Sequence, residues 1–232
     1  MSRVAAAAPP GVLEVLSRTP EDAAEAIPIA LEAWARGPRH AAFVELAGAR
    51  AYLKLTALSG KTRWRYALKR QLLRAPLPRL REFANLRWLR EHGFRAPEPL
   101  VAAALWRRGL PRFQLLFTRE VAGARTLAQF LVEERGARRA AVLDDLAREV
   151  ARMHALGFVH HDLFPRNLLV TAGEDRVWFL DCWAGGPPPQ ARGPAYDLAC
   201  LTRSGAPDAL LAEDGARVLA AYESARRANP SP

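Results

Sequence analysis

His160-His161-Asp162-Leu163-Phe164-Pro165-Arg166-Asn167 places an aspartate two residues after a histidine and an asparagine five residues after that aspartate. With 5 His, 9 Asp and 3 Asn among 232 residues, chance supplies this spacing roughly 0.0025 times, so the pattern is a specific signal. The residue types suit phosphoryl transfer, a reaction that needs an acceptor hydroxyl to be oriented and magnesium to offset charge on the phosphates. Asp162 fits the first task as a base. The amide oxygen of Asn167 and the carboxylate of Asp181 are hard oxygen donors of the kind magnesium takes. His160 is read as a brace for the loop rather than a participant in the chemistry.

The segments around this stretch set its context. It follows the strongest helical run, Ala137 to Leu156, where Val142, Leu146, Val150 and Met153 recur at three- and four-residue intervals and Gly157 stands just past the end. It precedes two short apolar runs, Leu168 to Val170 and Val177 to Leu180, which flank Gly173-Glu174-Asp175 and predict a hairpin with Asn167 and Asp181 at its ends. Further upstream, Ala42 to Leu46 and Arg50 to Leu55 read as two strands joined by Ala47-Gly48-Ala49. Lys61 to Arg74 reads as a basic amphipathic helix, stopped by Pro76 and Pro78. The four-residue spacing of Trp64, Leu68 and Leu72 there places Trp64 in the core, as helical spacing does for Trp88. A second helix is expected from Leu80 to Glu91, a strand from Phe113 to Arg119, and a connector from Glu120 to Arg125. This order predicts an α+β chain of two lobes. Residues 1–10 form a flexible tail, 11–119 a small antiparallel-sheet lobe with a helix, and 120–232 a short, mainly helical lobe.

Composition narrows the setting. Half of the residues are apolar and a quarter charged, an ordinary globular balance. No apolar stretch reaches the roughly 18 residues needed to span a bilayer. Cys182 and Cys200 are too few for a disulfide framework and fit no usual zinc spacing, which makes a reduced, cytoplasmic location the expectation. The formal net charge of +10 favours anionic partners. Only Lys54, Lys61 and Lys69 are lysines among 34 basic residues, so each marks a place where a compact ammonium on a flexible stem is kept among 31 arginines.

With these motifs in hand, the chain resembles the protein-kinase-like superfamily over roughly residues 41–204, and within it the lipopolysaccharide core kinases, which include bacterial Kdo and heptose kinases. The resemblance implies a bilobal fold that moves a phosphate from Mg-ATP to a hydroxyl. His160-His161-Asp162 with Asn167 resembles the catalytic loop, and Leu180-Asp181 the metal-binding strand end. Lys54 in Ala51-Tyr52-Leu53-Lys54 resembles the nucleotide-phosphate lysine, with Glu82 as its helix partner. Tyr196-Asp197-Leu198 resembles the helix start that supports the catalytic loop from behind. The resemblance also implies a hinge from Glu120 to Ala122 whose backbone meets the adenine.

Departures from the family pattern bear on the acceptor. No recognisable Gly-rich phosphate loop precedes Lys54. His161 stands where protein kinases carry an arginine that pairs with a phosphorylated activation loop, which argues against that kind of control. Only 15 residues separate Asp181 from Asp197, short for a peptide platform, so a sugar or glycolipid acceptor is expected, a lipopolysaccharide core sugar first. The basic segment 61–74 is a candidate contact for that acceptor or for an acidic membrane surface, which would put the protein at the inner membrane peripherally. Two rivals remain: a nucleotide-binding scaffold without turnover, and a nucleic-acid module built on 61–90 with Trp64, Tyr66, Phe83 and Trp88 as stacking groups, the less favoured of the two.

Overall fold

The computed structural model describes residues 11–188, 192–202 and 210–228. The expected tail at 1–10 lies outside them. The chain divides into two compact units, the first formed by residues 1–88 and 97–120, the second by 89–96 and 121–232.

The first unit is built on a five-stranded antiparallel sheet of β1 (Val12–Ser17), β2 (Arg39–Leu46), β3 (Ala49–Ala57), β4 (Pro99–Arg107) and β5 (Leu110–Arg119), in the order β1-β4-β5-β3-β2. Strand alternation sends Ala51, Leu53 and Leu55 of β3 and Phe113, Leu115 and Phe117 of β5 to one face, where all are buried. Helix α1 (Pro20–Arg36) covers that face with Ala23, Ala26, Ala30 and Ala33, side chains small enough for close approach of helix to sheet. Thr19 caps α1 by accepting from the Asp22 amide, and Pro20 sits in the first turn, where its missing N–H costs no helical bond. Lys54 has the opposite parity, opposite Leu116 of β5 and Ala41 of β2, and so projects from the other face. Because α1 separates β1 from β2 and the two occupy opposite edges of the sheet, they form no hairpin with each other.

Helix α2 (Gly60–Leu73) forms where the basic segment predicts one, but its apolar row points outward. Trp64 is 60% exposed, Leu68 56% and Leu72 71%, while Ala67 is the buried residue of the helix. The expectation of Trp64 in the core is therefore wrong. A four-residue period reports that three side chains share a face, and says nothing about what that face meets. Helix α3 (Pro78–Glu91) follows, with Leu80, Glu82, Phe83, Asn85, Leu86 and Leu89 buried. Burial of Phe83 removes one of the aromatics that a base-stacking surface would need.

The second unit holds β6 (Ala124–Thr126), α4 (Leu127–Glu133), α5 (Gly136–Ala155), β7 (Leu168–Thr171), β8 (Val177–Phe179), α6 (Pro194–Thr202) and α7 (Ala212–Ala228). The connector expected after Glu120 contributes β6, which pairs antiparallel with β7, and β7 pairs with β8. A capping box of Thr126 and Gln129 starts α4. Helix α5 buries Val142, Leu146, Val150 and Met153, the residues that define its period, and packs along α7. Asp145, on the same buried face, accepts the Val177 amide of β8 at 3.0 Å. Burial pushes its carboxyl above the ordinary value, with the nearby charge of Glu149 adding to the shift. Cys182 and Cys200 are both buried, and they form no disulfide. No described helix is long and apolar enough to cross a membrane.

Candidate active site

The loop from Phe158 to Asn167 is held from three directions in the second unit. Asp197, at the start of α6 and fully buried, accepts the backbone amide of His160 on Oδ2 at 2.6 Å and that of His161 on Oδ1 at 2.7 Å. The same Oδ2 lies 3.1 Å from Nε2 of His154 in the last turn of α5, and Nδ1 of His154 meets the Tyr222 hydroxyl of α7 at 2.9 Å. An ionised carboxylate can only accept, so Nε2 of His154 carries a proton. Burial alone would push the Asp197 carboxyl up. The hydrogen bond from His154, the nearby His160 ring and the His160 amide outweigh it and hold the group below its usual range.

His160 is fully buried, and burial lowers its pKa against the pull of Asp197 and Asp162. Its Nδ1 accepts the Asp162 amide at 3.3 Å, which leaves the proton of the neutral ring on Nε2. His161 adopts φ 63° and Asp181 φ 53°. The left-handed region costs a residue with a Cβ on the order of 1 kcal/mol, so these two turns are maintained by their surroundings. The His161 ring spans two backbone carbonyls, Nδ1 to Ala184 at 3.1 Å and Nε2 to Arg192 at 2.7 Å. It thus grips the chain on the far side of Asp181 directly.

Asn167 donates Nδ2 to the Asp162 carbonyl at 2.9 Å, and its own backbone carbonyl accepts the Leu180 amide at 2.9 Å. The first bond commits the side-chain N–H₂ to the loop backbone, so that Oδ1 is the side-chain atom that could serve a metal. The second ties Asn167 to the residue before Asp181. Asp162 is half-buried, and burial raises its carboxyl above the ordinary value. His160 and Arg166 oppose this, and the charge of Asp181 adds to it. Arg166 stands 3.6 Å from Asp162 and is largely exposed, so its hold is weak.

Gly185 completes this arrangement. A Cβ there would fall 2.0 Å from the Val159 carbonyl oxygen and 2.5 Å from that of His160, so only glycine fits. Gly186 bonds Val159 in both directions, at 3.2 and 2.9 Å. His154, Tyr222 and Gly185 escape the sequence reading. The signals were present as a histidine six residues before His160 on the buried face of α5 and a Gly-Gly pair four residues beyond Asp181.

In the first unit, Lys54 Nζ lies 2.9 Å from Oε1 of the fully buried Glu82, across 28 residues of sequence. Arg79, one turn earlier on α3, binds the other carboxylate oxygen, a second cation that motif reading does not supply. Two cations compensate a charge that burial would otherwise make costly. Glu120 lies just beyond β5 in the same unit. Its amide donates to the Arg50 carbonyl at 3.0 Å and its carboxylate lies 3.3 Å from the Arg50 guanidinium. Ala122 begins the turn that leads into β6 of the second unit.

Among the described residues no group of three or more His, Cys, Asp and Glu side chains could hold a metal. Asn167 and Asp181 alone would give two hard oxygens, a donor set that fits magnesium, which keeps its remaining positions for water and phosphate oxygens.

An antiparallel sheet bearing a lysine paired with a buried glutamate, followed by a helical unit whose His-x-Asp loop rests on a buried aspartate, defines a protein-kinase-like fold. The chain belongs to the Lipopolysaccharide kinase (Kdo/WaaP) family, whose pattern it matches over residues 38–222. It is 33% identical over 100 residues to 3-deoxy-D-manno-octulosonic acid kinase of Vibrio vulnificus (strain YJ016), covering 43% of this chain and 41% of that one. It is 35% identical over 101 residues to the protein of the same name from Stenotrophomonas maltophilia (strain K279a), covering 43% and 38%. The matched stretches therefore span about two fifths of the curated relatives. A solved structure of WaaP in complex with acyl carrier protein shares the fold over 92% of this chain and 91% of that one, with a TM-score of 0.58 and 18% identity.

Proposed function

We propose that this protein is a kinase that transfers the γ-phosphate of Mg-ATP to a hydroxyl of a lipopolysaccharide core sugar, with a Kdo residue as the first acceptor to test. The carrying observation is the loop that fixes Asp162 and Asn167 together on Asp197 and joins Asn167 to the approach of Asp181. In this reading Asp162 accepts the proton of the attacking hydroxyl. Its raised pKa brings it closer to working pH than an ordinary carboxylate, which favours general-base action. Asn167 and Asp181 would hold magnesium, which supplies charge neutralisation on the phosphates when bound. Lys54 takes the phosphates, kept in place by Glu82, and His160 and Asp197 support the loop without touching substrate. The hinge runs from Glu120 to Ala122. Since the Glu120 amide is already committed to Arg50, that residue meets a purine through its carbonyl. Such an acceptor is anchored in lipid, so the protein would work in the cytoplasm, peripherally at the inner membrane.

The test supplies purified protein with ATP labelled on the γ-phosphate and a panel of acceptors: lipid-linked Kdo, other core sugars, small alcohols and generic proteins. Label on the Kdo-bearing acceptor supports the proposal. Label on protein alone, or nucleotide binding with no transfer to any acceptor, refutes it.

A further inference from the structure

We infer that the outward face of α2 is a docking surface for an anionic lipid bilayer. Trp64, Leu68 and Leu72 follow one another at four-residue steps and form one row along the helix. Lys61, Arg65 and Lys69, also four apart and each three residues before a member of the apolar row, form a second row beside the first. All six side chains are exposed. Leu73, 71% exposed, adds an apolar group at the C-terminal end.

The helix cannot turn this face inward. Ala67 is buried on the opposite side, and Arg70 is tied to Glu14 of β1 at 2.7 Å. The apolar row is therefore held towards solvent by the packing of the first unit.

Charge identifies the occupant. From Gly60 to Arg74 the chain carries six basic residues and no acidic one. An apolar row laid against a cationic row suits the boundary between acyl chains and anionic headgroups, where a tryptophan ring takes the interface and long basic side chains reach the phosphates. The face is a convex helix surface about 12 Å long at 1.5 Å per residue, which matches a flat bilayer in shape. None of its residues is assigned to phosphoryl transfer, so vesicle binding and catalysis can be measured separately.

The experiment is co-sedimentation of the full chain with vesicles of phosphatidylcholine alone and of phosphatidylcholine mixed with phosphatidylglycerol. Binding to the mixed vesicles, weakened by salt and much poorer on the neutral ones, is expected. Replacing Lys61, Arg65 and Lys69 together by Gln should weaken it roughly 100-fold, from the usual contribution of a basic residue near an anionic surface. Replacing Trp64, Leu68 and Leu72 together by Ser should weaken it at least about 10-fold. Circular dichroism would show that both variants keep the fold. As a check that tolerates a misfolded triple variant, brominated lipid should quench part of the wild-type tryptophan fluorescence, and Trp64→Phe alone should remove that part. Equal binding to neutral vesicles, no binding to either kind, or quenching unchanged in Trp64→Phe would overturn the inference. So would self-association through this face, seen as a dimer that Trp64→Ser abolishes in a protein that ignores vesicles.

Discussion

His154 and Asp197 meet at 3.1 Å with both side chains wholly shielded from solvent, and the carboxylate in that pair also carries the amides of His160 and His161. One buried aspartate thus links α5, α6 and the loop that carries Asp162, and through His154 also Tyr222 of α7. Asp197→Asn would place an amide N–H₂ among groups that donate. A loss of about 3 kcal/mol in unfolding free energy is expected, from a buried donor left facing another donor. Chemical denaturation of the two proteins measures it.

The same pair gives a pH dependence with a definite sign. The folded-state pKa of Asp197 lies below its ordinary value of 3.8, so the folded state binds fewer protons than the unfolded one as pH falls through that range. The stabilisation from Asp197 is whole above the ordinary value and is lost as pH falls through the depressed folded value. Wild-type stability should drop more steeply below about pH 4 than that of Asp197→Asn, where this component is missing. Parallel curves for the two proteins would contradict this.

Asp162 has the opposite sign. Its carboxyl is raised by burial and by Asp181, so its charged form burdens the fold at neutral pH. Asp162→Asn keeps the contacts made by the Asp162 backbone with His160 and Asn167 and removes that burden. The variant should hold nucleotide as the wild type does and lose transfer. It should also be more stable by about 0.5–1 kcal/mol at pH 7, in the manner of active-site residues that trade stability for function. Thermal melts and nucleotide titration of one preparation check both halves.

Lys54 and Arg79 share Glu82, and this separates the expected phenotypes. Lys54→Met leaves Glu82 compensated by Arg79, so the protein should fold while transfer falls roughly 100-fold or more, by analogy with removal of a transition-state donor. Glu82→Gln leaves two cations around a neutral amide, with a milder loss of rate and a stability cost of about 1–3 kcal/mol. Turnover and melting temperature of each variant should therefore move in opposite orders of severity.

Gly185→Ala should behave as an overpacking mutation beside the loop. Its methyl would sit 2.0 Å from the Val159 carbonyl oxygen, and backbone cannot yield as a flexible side chain can. A cost of about 2–3 kcal/mol is expected, together with reduced transfer, because the displaced atoms belong to His160 and its neighbour. Gly173→Ala serves as a control, since nothing lies within 4 Å of its Cβ position, though its φ of +79° adds local strain.

The parts legible in the sequence were those with a strong local code. The period of α5, the turn between β7 and β8 and the spacing from His160 to Asn167 each follow from chemistry that neighbours in sequence express. Helix α1 was hidden because its buried residues are Asp22 and four alanines and Pro28 falls inside it, so neither a large apolar period nor a clean helical run announces it. Strands β1 and β4 pair across some 90 residues, and Ala102, Ala103 and Ala104 give β4 no alternation to read. The outward turn of Trp64 is set by Ala67 and by the Arg70–Glu14 pair, a tertiary decision that no four-residue period contains. Around Asp162 the loop residues and their support Asp197 were visible, while the groups packed behind them were not. His154, Tyr222 and Gly185 there, and Arg79 beside Glu82, act through contacts made only once the chain has folded.

A transfer reaction with Asp162 as base is tested by single-turnover transfer of labelled γ-phosphate to a lipid-linked Kdo acceptor by wild type and Asp162→Asn, each first shown to bind nucleotide equally. Label on the sugar hydroxyl with the wild type, and a loss of at least about 100-fold with the variant, is the predicted result. Equal transfer by both proteins, or no transfer by a wild type that binds nucleotide, would contradict it.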